Sequence, residues 1–252
     1  MDEQNPFVAN EDARTDKGVA PGRCVGPGRS IEWLKQGWQL FTKNPGIWLA
    51  ITVIVMVIGI ALVSIPIVAP LALVITFLMP VFVGGILLGC KSLSDDGEFG
   101  INYLFVGFKQ NTSNLIMVSV FYFIGAVVIN VLVFFIVGGS ALTGGVIGHW
   151  PGVGVVAGGF LFAMLILLLL HVPLVMAVWF APALVVFRNV APLDAMKMSF
   201  FACLKNIVPF TVYCVIIAVL FAIAVIPVAL GMLILLPVTV GSVYASYVDI
   251  FE

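Results

Sequence analysis

Six stretches of this chain are apolar for long enough to cross a lipid bilayer, and that leaves few folds open. A hydrocarbon core takes about 20 helical residues to span, and runs of that order fall at 46–64, 67–90, 114–137, 154–187, 207–226 and 228–247. A stretch such as "FLFAMLILLLLHVPLVMAVWF" is apolar on both sets of alternating positions. Strands of a membrane barrel alternate between lipid and lumen, so helices are expected instead. With 62% hydrophobic and 9% charged residues, the chain has too little polar surface for a water-soluble monomer. The expected fold is an all-α polytopic membrane protein, with six transmembrane helices in three hairpins.

Charge placement supports that layout. All 11 Lys and Arg lie before the first span (Arg14, Lys17, Arg23, Arg29, Lys35, Lys43), between spans 2 and 3 (Lys91, Lys109) or between spans 4 and 5 (Arg188, Lys197, Lys205). The 12 acids fall on the same side. The opposite turns, "SIPIVAP", "GGSALTGGVIGHWPGVG" and "VIPVALG", carry no charge. The positive-inside rule then puts both termini in the cytoplasm. Residues 1–29 mix Gly, Pro and both charge signs and are expected to be a disordered tail, with 30–252 as the transmembrane domain. That tail lacks an apolar signal-peptide core, so the first span is expected to direct insertion. Cys24, Cys90, Cys203 and Cys214 show no C-x-x-C spacing, and reduced thiols with no metal site are expected.

Each hairpin is introduced in a similar way. "SIEWLKQGWQLFTKN" sets Ile31, Leu34, Trp38 and Phe41 on one helical stripe, with Glu32, Lys35, Gln39 and Lys43 away from it. "NYLFVGFKQN" and "PLDAMKMSFFACLKN", the latter with Leu193, Met196, Phe200 and Leu204, repeat the idea. These segments are expected to be interfacial amphipathic helices. Trp33, Trp38, Phe41, Trp48, Phe105, Phe108 and Phe200 would be their anchors at headgroup depth. Asn44, Asn111 and Asn206 would end an interfacial helix and start a span, while Pro80, Pro182 and Pro237 sit near the inner ends of the returning spans. Together these positions read as the hinges of an internal threefold repeat. From Asn to Pro is 36, 71 and 31 residues in the three units, so the second is the one elaborated.

Little in the sequence carries chemistry. No Asp, Glu, Lys or Arg lies inside an expected span, which counts against ion-coupled transport. Asn130 and His171 are the notable deep polar residues, each roughly 24 Å from the inner face at 1.5 Å per residue. They read either as a polar site or, preferentially, as a hydrogen bond between two helices. His149 beside Trp150 reads as an interfacial anchor. Asp95, Asp96 and Glu98 in "KSLSDDGEFG" read as a solvated turn. No phosphate loop, nucleophile elbow, metal triad or carboxylate pair is visible, so no catalytic residue, cofactor or nucleic-acid partner is assigned.

Two passages carry a resemblance. "GWQLFTKNPGIWLAI" followed by "LMPVFVGGILLGCKSL" resembles an uncharacterised family of six-helix proteobacterial inner-membrane proteins, over most of residues 30–250. "APALVVFRNVAPLDAMKMSFFACLKN" is similar, more loosely, to the membrane domain attached to some glycerophosphodiester phosphodiesterases, whose catalytic domain has no counterpart here. The resemblance implies the fold and an inner-membrane address. The function expected is non-enzymatic: an accessory or scaffold subunit in the bilayer, associated with other membrane subunits or with its own copies. The alternative is a carrier or channel for a small molecule or lipid through the bundle.

Overall fold

The computed structural model describes residues 22–64, 69–146, 153–227 and 230–252. Ten α-helices and no strands occur among them: α1 (Arg29–Lys43), α2 (Pro45–Ser64), α3 (Ala69–Ser94), α4 (Tyr103–Val106), α5 (Thr112–Val146), α6 (Val153–Trp179), α7 (Ala181–Arg188), α8 (Pro192–Lys205), α9 (Ile207–Val225) and α10 (Met232–Phe251). Six segments are long and apolar enough to cross a membrane: Pro45–Leu62, Val74–Ser94, Thr112–Phe135, Leu161–Arg188, Ile207–Val225 and Met232–Phe251. Residues 1–21, His149 with Trp150, and the middles of all three uncharged turns lie outside the described residues.

The core is confined to the charged end of the bundle. On α2 burial stops after Thr52, and on α5 after Ser119. On α3 the buried positions run from Pro80 to Leu93, and on α10 most of them lie between Pro237 and Phe251. Pro80 and Pro237 each stand 14 residues before the helix end, about 21 Å at 1.5 Å per residue. Neither is near the inner end, because the helices continue into the buried layer: Pro80 is mid-helix, and Pro237 is five residues from the outer start of α10. Only Pro182 stands close to a break, between α6 and α7. A proline lacks the N–H that would continue the helix and crowds the carbonyl of the preceding turn. There the Ser199 hydroxyl accepts from the Phe180 N–H at 2.9 Å and donates to the Met176 carbonyl at 2.6 Å.

Short helices pack onto this layer. α1 runs antiparallel along α10, with Arg29 and Trp33 beside Asp249 and Gly37 beside Gly241. A Cβ on Gly37 would stand 2.7 Å from the Ser242 amide nitrogen and land on the Val238 carbonyl oxygen. α4 lies on α3, where a Cβ on Gly107 would meet the Val81 carbonyl. α8 lies on α6 through Ser199. The second of the three is a single turn, Tyr103–Val106.

This docking changes which residues act as anchors. α1 buries Ser30, Trp33, Gly37, Leu40 and Phe41, while Ile31 and Trp38 of the expected stripe stay about half exposed, at 51% and 49%. Trp33 and Trp48 are core residues, and the Trp48 indole donates to the Leu40 carbonyl at 3.2 Å. Phe41 is buried as well, and Phe200 is partly covered. Trp38, Phe105 and Phe108 keep the exposure an anchor needs. The close approach of two helix backbones requires small residues, so the bulky stripe is left for the lipid side.

Candidate functional site

The densest polar cluster closes the chain on itself at the charged end. Asp249, near the end of α10, accepts from Arg29 through both carboxylate oxygens, Nε to Oδ2 and Nη2 to Oδ1 at 2.7 Å each. The Trp33 indole donates to Oδ2 at 2.8 Å, and Arg23 approaches Oδ1 at 3.3 Å. Arg23 also donates to the Asp249 carbonyl through Nε and to the Ile250 carbonyl through its amide at 2.9 Å. The bidentate fork is the strong form of this pairing, and its hydrogen bond holds the Arg29 guanidinium above its ordinary pKa.

Residues 22–28 are thereby part of the folded layer. They lie ahead of the boundary expected at residue 30, and Arg23 and Val25 find hydrogen-bond partners in α10 and at Asn206. Val25 N–H donates to Asn206 Oδ1 at 2.7 Å, and Asn206 Nδ2 donates to the Arg23 carbonyl at 3.0 Å. A Cβ on Gly22 would stand 2.9 Å from Ile250 and 3.0 Å from Ala202.

The three asparagines share a position and a bonding pattern. Each carbonyl accepts the first hydrogen bond of the span that follows: Trp48 to Asn44 at 3.3 Å, Leu115 to Asn111 at 3.0 Å and Phe210 to Asn206 at 3.0 Å. Each amide nitrogen reaches a distant backbone carbonyl: Asn44 to Phe99 at 3.5 Å, Asn111 to Val185 at 3.1 Å and Asn206 to Arg23 at 3.0 Å. Asn111 alone has positive φ, 56°, a conformation Asn tolerates better than most residues. The other two turn by different backbone angles.

Beside Asn44 an open cleft of about 450 Å³ is lined by Lys43, Asp96, Glu98 and Phe99. Lys43 donates to Asp96 at 2.6 Å and to the Leu93 carbonyl at 2.9 Å. The lysine holds the Asp96 carboxyl below its ordinary pKa. Asp96 thus closes a turn through a specific lysine.

Asn130 and His171 do not bond to one another. Asn130 Nδ2 donates to the Ala126 carbonyl at 2.7 Å, and His171 Nδ1 donates to the Leu167 carbonyl at 2.9 Å, each one turn back on its own helix. Both helices pack together, yet Asn130 is exposed and His171 only partly covered. His171 borders an apolar groove of about 410 Å³ formed by Leu161, Met164, Leu165, Leu167 and Leu168. Two other polar groups on the spans are paired within the protein: Ser119 donates to the Phe77 carbonyl at 2.7 Å, and the Tyr213 hydroxyl meets Ser242 at 2.6 Å. All four cysteines are free, and among the described residues no group of three or more His, Cys, Asp or Glu could hold a metal ion.

Sequence periodicity missed the Asp249 clamp and the small docking residues Gly37, Gly107 and Ser199. A signal for the first existed: Asp249 is an acid two residues beyond the last expected span, with arginines at 23 and 29. Compared with models of known families, with curated proteins and with solved structures, the chain finds no match.

Proposed function

We propose that this protein is a non-enzymatic subunit of a membrane assembly, working through association within the bilayer. The observation that carries the reading is the contrast in packing along the spans. Beyond the charged end, large apolar side chains such as Val57, Ile60, Phe134, Leu169 and Ile226 are exposed on helices that end with few protein neighbours. In a bilayer such faces are satisfied by lipid or by other spans. The packed layer at the other end holds three hairpins in fixed relation, which suits a scaffold.

The same reading takes the chain as three repeats. Each short helix docks on the returning span of the unit before it: α4 on α3, α8 on α6 and, completing the circle, α1 on α10. A small residue meets that span beside its proline each time, Gly107 near Pro80, Ser199 near Pro182 and Gly37 near Pro237. The Asn amides tie separate elements together: Asn44 reaches Phe99 just ahead of α4, Asn111 reaches Val185 on α7, and Asn206 reaches Arg23 just ahead of α1. We assign the charged end to the cytoplasm from the placement of Lys and Arg, and a bacterial inner membrane from the resemblance.

Extraction in polymer-bounded patches of native membrane, followed by intact-mass measurement, tests this reading. The expected mass exceeds one chain plus lipid by at least one further protein chain. A single chain carrying one stoichiometric lipid or solute overturns it in favour of a carrier.

A further inference from the structure

The polar atoms left over on α5 and α6 point to one particular partner. Gly125 packs against Leu174, with a Cβ there 2.8 Å from Leu174 Cδ1, which fixes the antiparallel register of the two helices. Asn130 lies five residues beyond that contact and His171 three, both away from the charged end. At 1.5 Å per residue their depths agree to within about 3 Å. After its bond to Ala126, Asn130 keeps one N–H and its Oδ1. His171, with Nδ1–H given to Leu167, keeps Nε2 as an acceptor. Hydrocarbon satisfies none of these groups, and a polar group without a partner is costly at that depth.

We infer that the α5/α6 hairpin is a twofold interface between two copies of this chain, with each copy's Asn130 amide donating to His171 Nε2 of the other. The inference rests on the association reading above and names the partner. A twofold interface is self-complementary, so residue i meets j and j meets i. Asn130 and His171 form such a pair, offering one donor and one matching acceptor at equal depth.

The apolar shape around them follows the same rule. Phe134, one helical turn beyond Asn130, is 70% exposed and projects as a knob. The groove of about 410 Å³ along Leu161, Met164, Leu165 and Leu168 ends at His171, one turn from the polar pair. It takes a phenyl ring from the facing copy while returning its own. A different protein would have to bring an unrelated polar group to this depth, whereas a second copy already carries one.

The test uses the full chain, labelled with donor and acceptor dyes and diluted in vesicles of phosphatidylethanolamine and phosphatidylglycerol. Energy transfer should follow a monomer–dimer equilibrium. Replacing both polar residues, Asn130→Leu with His171→Leu, should weaken dimerisation about tenfold or more, as two intramembrane hydrogen bonds imply. Phe221→Ala, on the exposed face of α9, should leave it unchanged.

In a background without native cysteines, copies carrying Phe134→Cys should crosslink to copies carrying Leu165→Cys. This decides the matter even if the double leucine variant fails to fold. Absence of that crosslink, or dimerisation unaltered in a folded double variant, overturns the inference. The native-membrane mass separates the two failures. One chain bound to a different protein removes only the twofold interface, and one chain with lipid alone removes the association reading too.

Discussion

Leu87 and Leu169 both lie on long apolar helices, yet the first is 1% exposed and the second 72%. Leu87 belongs to the charged-end layer, between Pro80 and Lys91, where α1, α4, α7, α8 and the last turns of α3 and α10 interlock. Leu169 belongs to the far half, where α6 has α5 on one side and open surface on the other. The same residue type therefore contributes to folding in one region and to the bilayer contact in the other. Cohesion comes from the first region, and exposed apolar surface from the second.

The sharpest way to break the comparison is a pair of glycine substitutions. Gly37→Leu should push α1 off α10, since even a Cβ meets backbone there, and should exceed the roughly 3 kcal/mol of ordinary overpacking. Gly59→Leu, where a Cβ meets nothing within 4 Å, should leave the unfolding midpoint in detergent unchanged. Next comes truncation: Leu87→Ala should cost about 3 kcal/mol, and Leu169→Ala less than about 0.5 kcal/mol. Equal losses in the two variants would show that the far half is packed as well.

Asp249→Ala should cost about 2 kcal/mol by chemical denaturation. That lies below the range for a fully buried pair, because Arg23 and Arg29 keep side-chain exposures of 58% and 43% and are screened by water. The same variant should release residues 22–28 to added protease. Asn206→Ala should cost about 2 kcal/mol, since it leaves the Val25 N–H and the Arg23 carbonyl unpaired. Asn44→Ala should cost less, its side-chain bonds being 3.4 and 3.5 Å long.

The smallest effect is the pH dependence of the Lys43–Asp96 pair. The folded-state pKa of Asp96 is depressed, so its contribution is present above the unfolded value of about 3.9 and is lost as pH falls through the folded value. Wild type and Asp96→Asn should therefore differ slightly in midpoint at pH 6 and converge as acid protonates Asp96 in the folded protein. A difference that grows on acidification runs opposite to this sign.

Much of the architecture is legible in the sequence. The six spans were visible because leaving water dominates the energetics of a 20-residue apolar run, and the charges fell between them. Asn44, Asn111 and Asn206 were legible as span starts, and the structure adds that each amide ties down a distant backbone carbonyl. The anchors were read less well. Trp33 and Trp48 share composition and spacing with Trp38, yet they are core residues. Asn130 and His171 were legible as deep polar groups at matched depth, but each bonds its own helix rather than the other.

The sequence by itself determined a helical chain crossing a membrane six times with every charge at one end, because hydrophobicity reports the cost of contact with water. It could not decide which apolar residues face protein and which face lipid, since the two environments are nearly equivalent for a leucine or a tryptophan. Only the tertiary structure settled that. Backbones come together where Gly37, Gly107, Ser199 and Gly241 leave room, and Asp249 then fastens α1 to α10.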